Sequence, residues 1–210
     1  RGELHDIAPG VLRVAGAPVT WHQRVLTACL STGGVAWGRT AAALHGLDGV
    51  PRPGVIDVAV PRQHRRRAID GVRVRTAAAL DPHDVTKVDG IPVTSIARTL
   101  CDLGATAGPD VVEQALDDAL RRGASLRWIT DTLARVDRPG PSGTGVLRRV
   151  LAQPDRAGLV HDSWRERVTE RMLRHRELPL ARQFEVRDRS GRLVARLALA
   201  VADARVAIEF

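Results

Sequence analysis

The sequence predicts an α+β fold: a domain of helices and β-hairpins, followed by the start of an α/β domain. Three observations carry that prediction. Apolar residues recur at helical spacing in some stretches and alternate at strand spacing in others. Turn residues punctuate the stretches at short intervals. One segment, DRPGPSGTG at 137–145, holds two prolines and three glycines, which forbid regular structure and mark a linker. The 210 residues are ample for a sizeable core. The expected organisation is 1–18, 19–137, a linker at 138–145 and 146–210.

The elements follow in order. GELHDIAPGVLRVAG, with Gly2, Pro9 and Gly10 around short β-like runs, fits a small hairpin. Thr20 is placed to cap a helix over WHQRVLTACLS that ends at Gly33 and Gly34, and a second helix is expected from Arg39 to Leu47, stopped by Asp48 and Gly49. VIDVAVP and VRVRTA both alternate around the basic stretch RQHRRRAIDG, which predicts an antiparallel hairpin with an arginine-rich tip. DVTKVDGIPVT predicts a second hairpin turning at Asp89 and Gly90, and Ser95 caps the helix that follows. Pro109 opens a long helix whose Val112, Ala115, Leu116, Ala119 and Leu120 share one face, closed by Gly123. Further helices are expected over SLRWITDTLARV, from Thr144 to Gln153, and over the charged stretch HDSWRERVTERMLRHREL. Three strand candidates, ARQFEVRD, RLVARLALAV and ARVAIEF, then make a β-meander.

Composition narrows the function classes. Hydrophobic residues at 44% and charged residues at 27% are ordinary globular values, and no apolar run approaches the ~20 residues of a membrane-spanning helix. Cys29 and Cys101 lie far apart in helix-like apolar patterns and read as buried reduced thiols of a cytoplasmic protein. The formal charge of +8 suggests a polyanionic partner, although nearly all of it is arginine, a skew that genome base composition alone can produce. Aromatics at 3%, with no tyrosine, argue against base-stacking platforms, so phosphate contacts would dominate any nucleic-acid binding. The chain opens on Arg1 without a signal-peptide pattern and ends at Phe210 inside a strand-like run, which reads as a fragment.

Two places carry candidate chemistry. Arg62, His64, Arg65, Arg66 and Arg67 crowd like charges between two strands, which an anionic partner would relieve; a solvated loop is the alternative. In the tail, Ser163 and Glu166 open the charged helix and Glu209 ends the last strand run, so two carboxylates could converge to hold Mg²⁺ for phosphodiester cleavage. On spacing alone Glu166 reads as an ordinary surface acid near a helix N-terminus before it reads as a ligand, and His161 and Asp162 read as capping residues. The histidines at 22, 45, 64, 83, 161 and 175 show no zinc-ligand spacing, and no glycine-rich phosphate cradle or nucleophile signature is present.

The ordered runs PGVLRVAGAPVTWHQRVLTACLSTGG, GRTAAALHGLDG, VIDVAVPRQHRRR, GVRVRTA, LDPHDVTKVDGIPVTSIARTLCDLGA and VVEQALDDALRRG resemble actinobacterial proteins with an AbiEi-type antitoxin domain of type IV toxin–antitoxin systems. The resemblance covers most of residues 8 to 135. The tail from Ser163 to Phe210 resembles the fused domain related to very-short-patch-repair nucleases of the PD-(D/E)xK fold. The first resemblance implies a winged helix-turn-helix before Arg1, with residues 2–14 as its last wing. The second implies Glu209 and Glu166 as motif acids, Glu209 being a metal ligand, in a domain cut short at Phe210. Where that family carries a central acid, this chain has Ala198; Asp203 lies five residues on, a displacement that reverses the facing side of a strand. The expected function is therefore a DNA-associated antitoxin or repressor-like protein with an inactive nuclease-like domain. No cofactor is expected unless the nuclease site is active, when it would need Mg²⁺; a Mg²⁺-dependent endonuclease and a toxin-neutralising contact module are the alternatives. The expected partners are DNA and a toxin protein, with no membrane. An unpaired last strand at Phe210 would expose a sheet edge and favour a homodimer.

Overall fold

The computed structural model describes residues 3–61, 69–77, 80–137, 143–153, 169, 173 and 178–209. The chain divides into two compact units, Arg1–Gln153 and Pro154–Phe210.

The first unit opens with an antiparallel hairpin, β1 (Leu4–Ala8) and β2 (Val11–Val14), and then α1 (Trp21–Thr32). Thr20 caps α1 by accepting the Gln23 N–H, as its position before the apolar pattern predicts. A five-stranded mixed sheet follows, in the order β5-β4-β3-β7-β6. Its strands are β3 (Val35–Ala36), β4 (Ile56–Pro61), β5 (Val72–Ala77), β6 (Val85–Val88) and β7 (Ile91–Thr94). The β6–β7 hairpin turns at Asp89 and Gly90, with φ of 49° and 78°. Two successive left-handed residues make the turn whose twist matches the strands it joins, as the Asp-Gly pair predicts.

Two of the sequence expectations for this region are corrected. β4 and β5 pair in parallel, Ile56 beside Val72 through Pro61 beside Ala77, so they are not an antiparallel hairpin. Alternation sets which face a side chain takes but not the direction of the neighbouring strand, and both arrangements satisfy the same apolar pattern. The second helix, α2, runs Gly38–Leu44, starting and ending earlier than expected, because Val35–Ala36 and Trp37 before it continue the ladder on β4.

Helices complete the unit: α3 (Ile96–Leu103), α4 (Pro109–Arg121), α5 (Leu126–Val136) and α6 (Thr144–Leu151). Ser95 caps α3, and Pro109 occupies the first turn of α4. Two hydrophobic cores result. One joins Val25, Ala28 and Cys29 of α1 to Ala41 and Leu44 of α2 and to Ile56, Val58, Val60, Ile91 and Val93 of the sheet. The other is helical and includes Leu100, Cys101 and Leu103 of α3, Val112, Ala115, Leu116 and Ala119 of α4, Ile129 of α5, and Leu147 and Val150 of α6. The expected linker at 138–145 therefore does not separate the two units, since α6 beyond it belongs to the helical core. Burial pushes both the Cys29 and the Cys101 thiol up to about 12, so both are protonated at neutral pH.

The second unit contains a three-stranded antiparallel sheet in the order β10-β9-β8, with β8 (Leu180–Arg187), β9 (Leu193–Val201) and β10 (Val206–Ile208). This is the expected meander. The expected charged helix before it falls largely outside the described residues.

Candidate nucleic-acid interface

The β4–β5 register builds the most distinctive charged group of the first unit. Ile56, Val58, Val72 and Val74 face the α1–α2 core, so alternation sends Asp57 and Ala59 of β4, with Arg73 and Arg75 of β5, to the other face. In the parallel register Asp57 lies beside Arg73 and Ala59 beside Arg75. Asp57 is only 2% exposed, and its Oδ1 lies 3.3 Å from Arg73 Nη1. Its backbone is held from both directions: its N–H donates to Thr40 Oγ1 at 2.8 Å, and its carbonyl accepts the Trp37 N–H at 3.0 Å. Burial raises the Asp57 carboxyl above the ordinary range, against the opposing pull of Arg73, Arg75 and Arg39. Three guanidinium groups thus act on one carboxylate. The Nε atoms of Arg39 and Arg75 are buried and have no hydrogen-bond partner among the described residues.

Trp37 ties this group to the helices. The Arg75 guanidinium lies over the Trp37 ring, 5.0 Å from its centroid. The Trp37 indole N–H donates to Asp102 of α3. Asp102 accepts from Arg98 Nε at 2.8 Å, and Arg98 Nη1 donates to Asp84 Oδ2 at 2.9 Å. Asp84 also receives both terminal nitrogens of Arg135 from α5. A buried chain of polar contacts therefore runs from the sheet face through α3 to α5. Its two acids titrate in opposite senses. Burial raises Asp102 to about 6 despite Arg98. Burial also pushes Asp84 upward, but the Arg135 and Arg98 hydrogen bonds outweigh it and leave that carboxyl below its ordinary range.

In the second unit, β10 and β9 pair with Ile208 beside Leu199, which brings Glu209 opposite Ala198. The Glu209 carboxylate accepts the Ala198 N–H at 3.0 Å. Asp203 sits in the turn between β9 and β10 and is exposed. Among the described residues no group of three or more His, Cys, Asp or Glu side chains is placed to hold a metal ion. The Mg²⁺ site that the nuclease resemblance implies does not fit what is described: the position facing Glu209 is an alanine, and one Glu209 oxygen is engaged by the backbone. Glu166, Ser163, His161 and Asp162 lie outside the described residues, as do Arg62, His64, Arg65, Arg66 and Arg67.

Compared with protein families, residues 33–138 match the AbiEi antitoxin C-terminal domain. The chain belongs to the AbiEi antitoxin family. A search of curated proteins finds no match. The matched span of this AbiEi antitoxin holds every residue of the charged group and of the polar chain behind it, from Trp37 to Arg135. It leaves out α1, although α1 packs on the same sheet, and α6, although α6 completes the helical core. Among the described helices of the antitoxin none is long and apolar enough to cross a membrane.

Sequence reasoning missed Trp37, Arg39, Asp57, Arg73 and Arg75. Two signals were available: an aspartate inside the apolar run VIDVAVP, and arginines two apart in VRVRTA, which strand periodicity places on one face. Bringing Asp57 beside Arg73 requires the parallel pairing, which no local pattern reports.

Proposed function

We propose that this AbiEi-type antitoxin works in association with DNA, through sequence-independent phosphate contacts, and neutralises a toxin partner while its C-terminal unit performs no cleavage. The observation that carries the DNA reading is the excess of guanidinium groups over carboxylates around Asp57, inside the antitoxin domain itself. The basic stretch Arg62, His64, Arg65, Arg66 and Arg67, which follows β4 in sequence, supplies further phosphate contacts in this reading. The tail is a nuclease-like domain of the very-short-patch-repair type fused to the antitoxin, as in the actinobacterial proteins it resembles. It is inactive because Ala198 contributes no metal ligand opposite Glu209.

The test incubates the chain with labelled duplex DNA across a salt series, with Mg²⁺ or Mn²⁺ present, and follows band shift and cleavage in one gel. A shift that weakens steeply with salt, and weakens again when Arg65, Arg66 and Arg67 become Ala, without cleavage, is the expected result. Cleavage that disappears in Glu209→Gln would overturn the inactive-nuclease reading. Binding to a toxin partner that is indifferent to both salt and the arginine substitutions, with no DNA shift, would leave protein contact alone as the function.

A further inference from the structure

We propose that Arg39, Arg73 and Arg75, gathered around Asp57 and backed by Trp37, form a seat for a phosphate oxyanion, with the aspartate acting as an internal counter-ion. The inference rests on the polyanion reading above and assigns it to specific residues. The three cations come from two separate elements, α2 and β5, and converge on one place because Trp37 and Thr40 clamp the Asp57 backbone between them.

Charge is the first argument. One carboxylate among three guanidiniums leaves two positive charges uncompensated, the complement of a phosphate dianion. Unfilled hydrogen-bonding capacity is the second. The Nε atoms of Arg39 and Arg75 are buried without an acceptor among the described residues, and Asp57 Oδ1, also buried, has ion contact with Arg73 but no hydrogen bond. A protein gains nothing in stability from such groups, whereas an incoming oxyanion would give the guanidinium donors the acceptors they lack. Preorganisation is the third. Arg75 is held over the Trp37 ring, and that ring is fixed in turn by its hydrogen bond to Asp102, so one arm of the seat is positioned before any ligand arrives. Arg73 is the opposite case, with a side chain 52% exposed, free to leave Asp57 and close on a bound oxyanion.

Asp57 has a definite part in this seat. With no anion bound it keeps the guanidiniums from repelling one another; with an anion bound it opposes the ligand. Removing its charge should therefore tighten anion binding, the reverse of what removing a ligand-contacting residue does.

The experiment titrates inorganic pyrophosphate into the 210-residue chain by calorimetry, and in parallel measures the salt slope of binding to a duplex with 5′-hydroxyl ends. The variants are the double substitution Arg73→Ala with Arg75→Ala, the single Arg39→Ala, and Asp57→Asn. Arg127→Ala with Arg196→Ala removes two exposed charges elsewhere and serves as control. Pyrophosphate binding should weaken by about tenfold or more in the double variant, stay within about twofold in the control, and tighten several-fold in Asp57→Asn. Should the double variant fail to fold by circular dichroism, Arg73→Gln at the half-exposed position and Asp57→Asn decide instead. The DNA arm identifies where the phosphate comes from: a salt slope lowered by about two in the double variant assigns the seat to backbone phosphates. An unchanged slope with lost pyrophosphate binding assigns it to a free phosphate compound, and the DNA contact then lies elsewhere on the chain. Failure of the wild-type chain to bind DNA sinks the polyanion reading while the pyrophosphate arm still judges the seat. No pyrophosphate binding by the wild type, or equal binding by a folded double variant, overturns the seat.

Discussion

Trp37 stands where β3 ends and α2 begins, and its two faces of chemistry serve different neighbours. The ring supports Arg75 and the indole N–H satisfies Asp102, a buried acid. Trp37→Phe keeps the ring but deprives Asp102 of a donor, so a loss of about 1–3 kcal/mol is expected by urea unfolding. Trp37→Ala also opens a cavity and should cost about 3–5 kcal/mol. Asp57→Asn should cost far less, because neutralising a carboxyl whose burial already disfavours its charge removes a penalty as well as an ion contact. At this scale the sequence was legible where a residue acts on its own neighbours. Thr20 and Ser95 announce their caps because a cap bond spans three residues. The charged group was not legible, because its members are spread from Trp37 to Arg75 and meet only through long-range strand pairing.

Among the elements, α3 contributes both Arg98 and Asp102 to the buried polar chain. The two acids along that chain give opposite pH dependences. Asp102, raised to about 6, takes up a proton on folding between that value and its ordinary range near 4, so its contribution to stability falls as pH rises through about 6. Asp84, lowered, contributes stability that is present above its ordinary range and lost as pH falls through its folded value. Thermal unfolding of wild type and Asp102→Asn should therefore diverge with pH. The variant's melting temperature should gain on the wild type between about pH 4 and pH 6 and hold a constant offset above about pH 7. A parallel offset across the whole range would mean that Asp102 titrates normally. Element boundaries were well legible where turn chemistry is local, as at Asp89–Gly90. They were not where tertiary contact decides: β3 is two residues long, and α2 starts at Gly38 only because the chain before it is pinned to β4.

On the scale of the whole molecule, the junction of α3 and α6 fixes where the first unit ends. A Cβ at Gly104 would meet the Gly143 carbonyl oxygen at 2.5 Å, and one at Gly143, where φ is +77°, would meet the Ala105 nitrogen at 2.5 Å. The backbones touch, so α6 belongs to this unit despite the proline- and glycine-rich stretch before it, whose composition does not report domain membership. A chain ending at Gln153 should unfold cooperatively like the intact first unit. One ending at Val136 loses Leu147 and Val150 from the helical core, about 1.5–3 kcal/mol for each side chain, and should melt earlier. Gly143→Ala should reproduce part of that loss within the full chain, by about 1–3 kcal/mol, through strain at a left-handed position. The arrangement of cores has one more consequence. Cys29 lies in the sheet core and Cys101 in the helical core, each buried and protonated, so each compartment carries its own silent chemical clock. Pulsed alkylation during mild denaturation, read by mass on the two peptides, would time the opening of each compartment separately. Equal labelling rates would make the sheet and the helices one cooperative body, whereas a faster clock at either cysteine would name the half of the antitoxin domain that yields first.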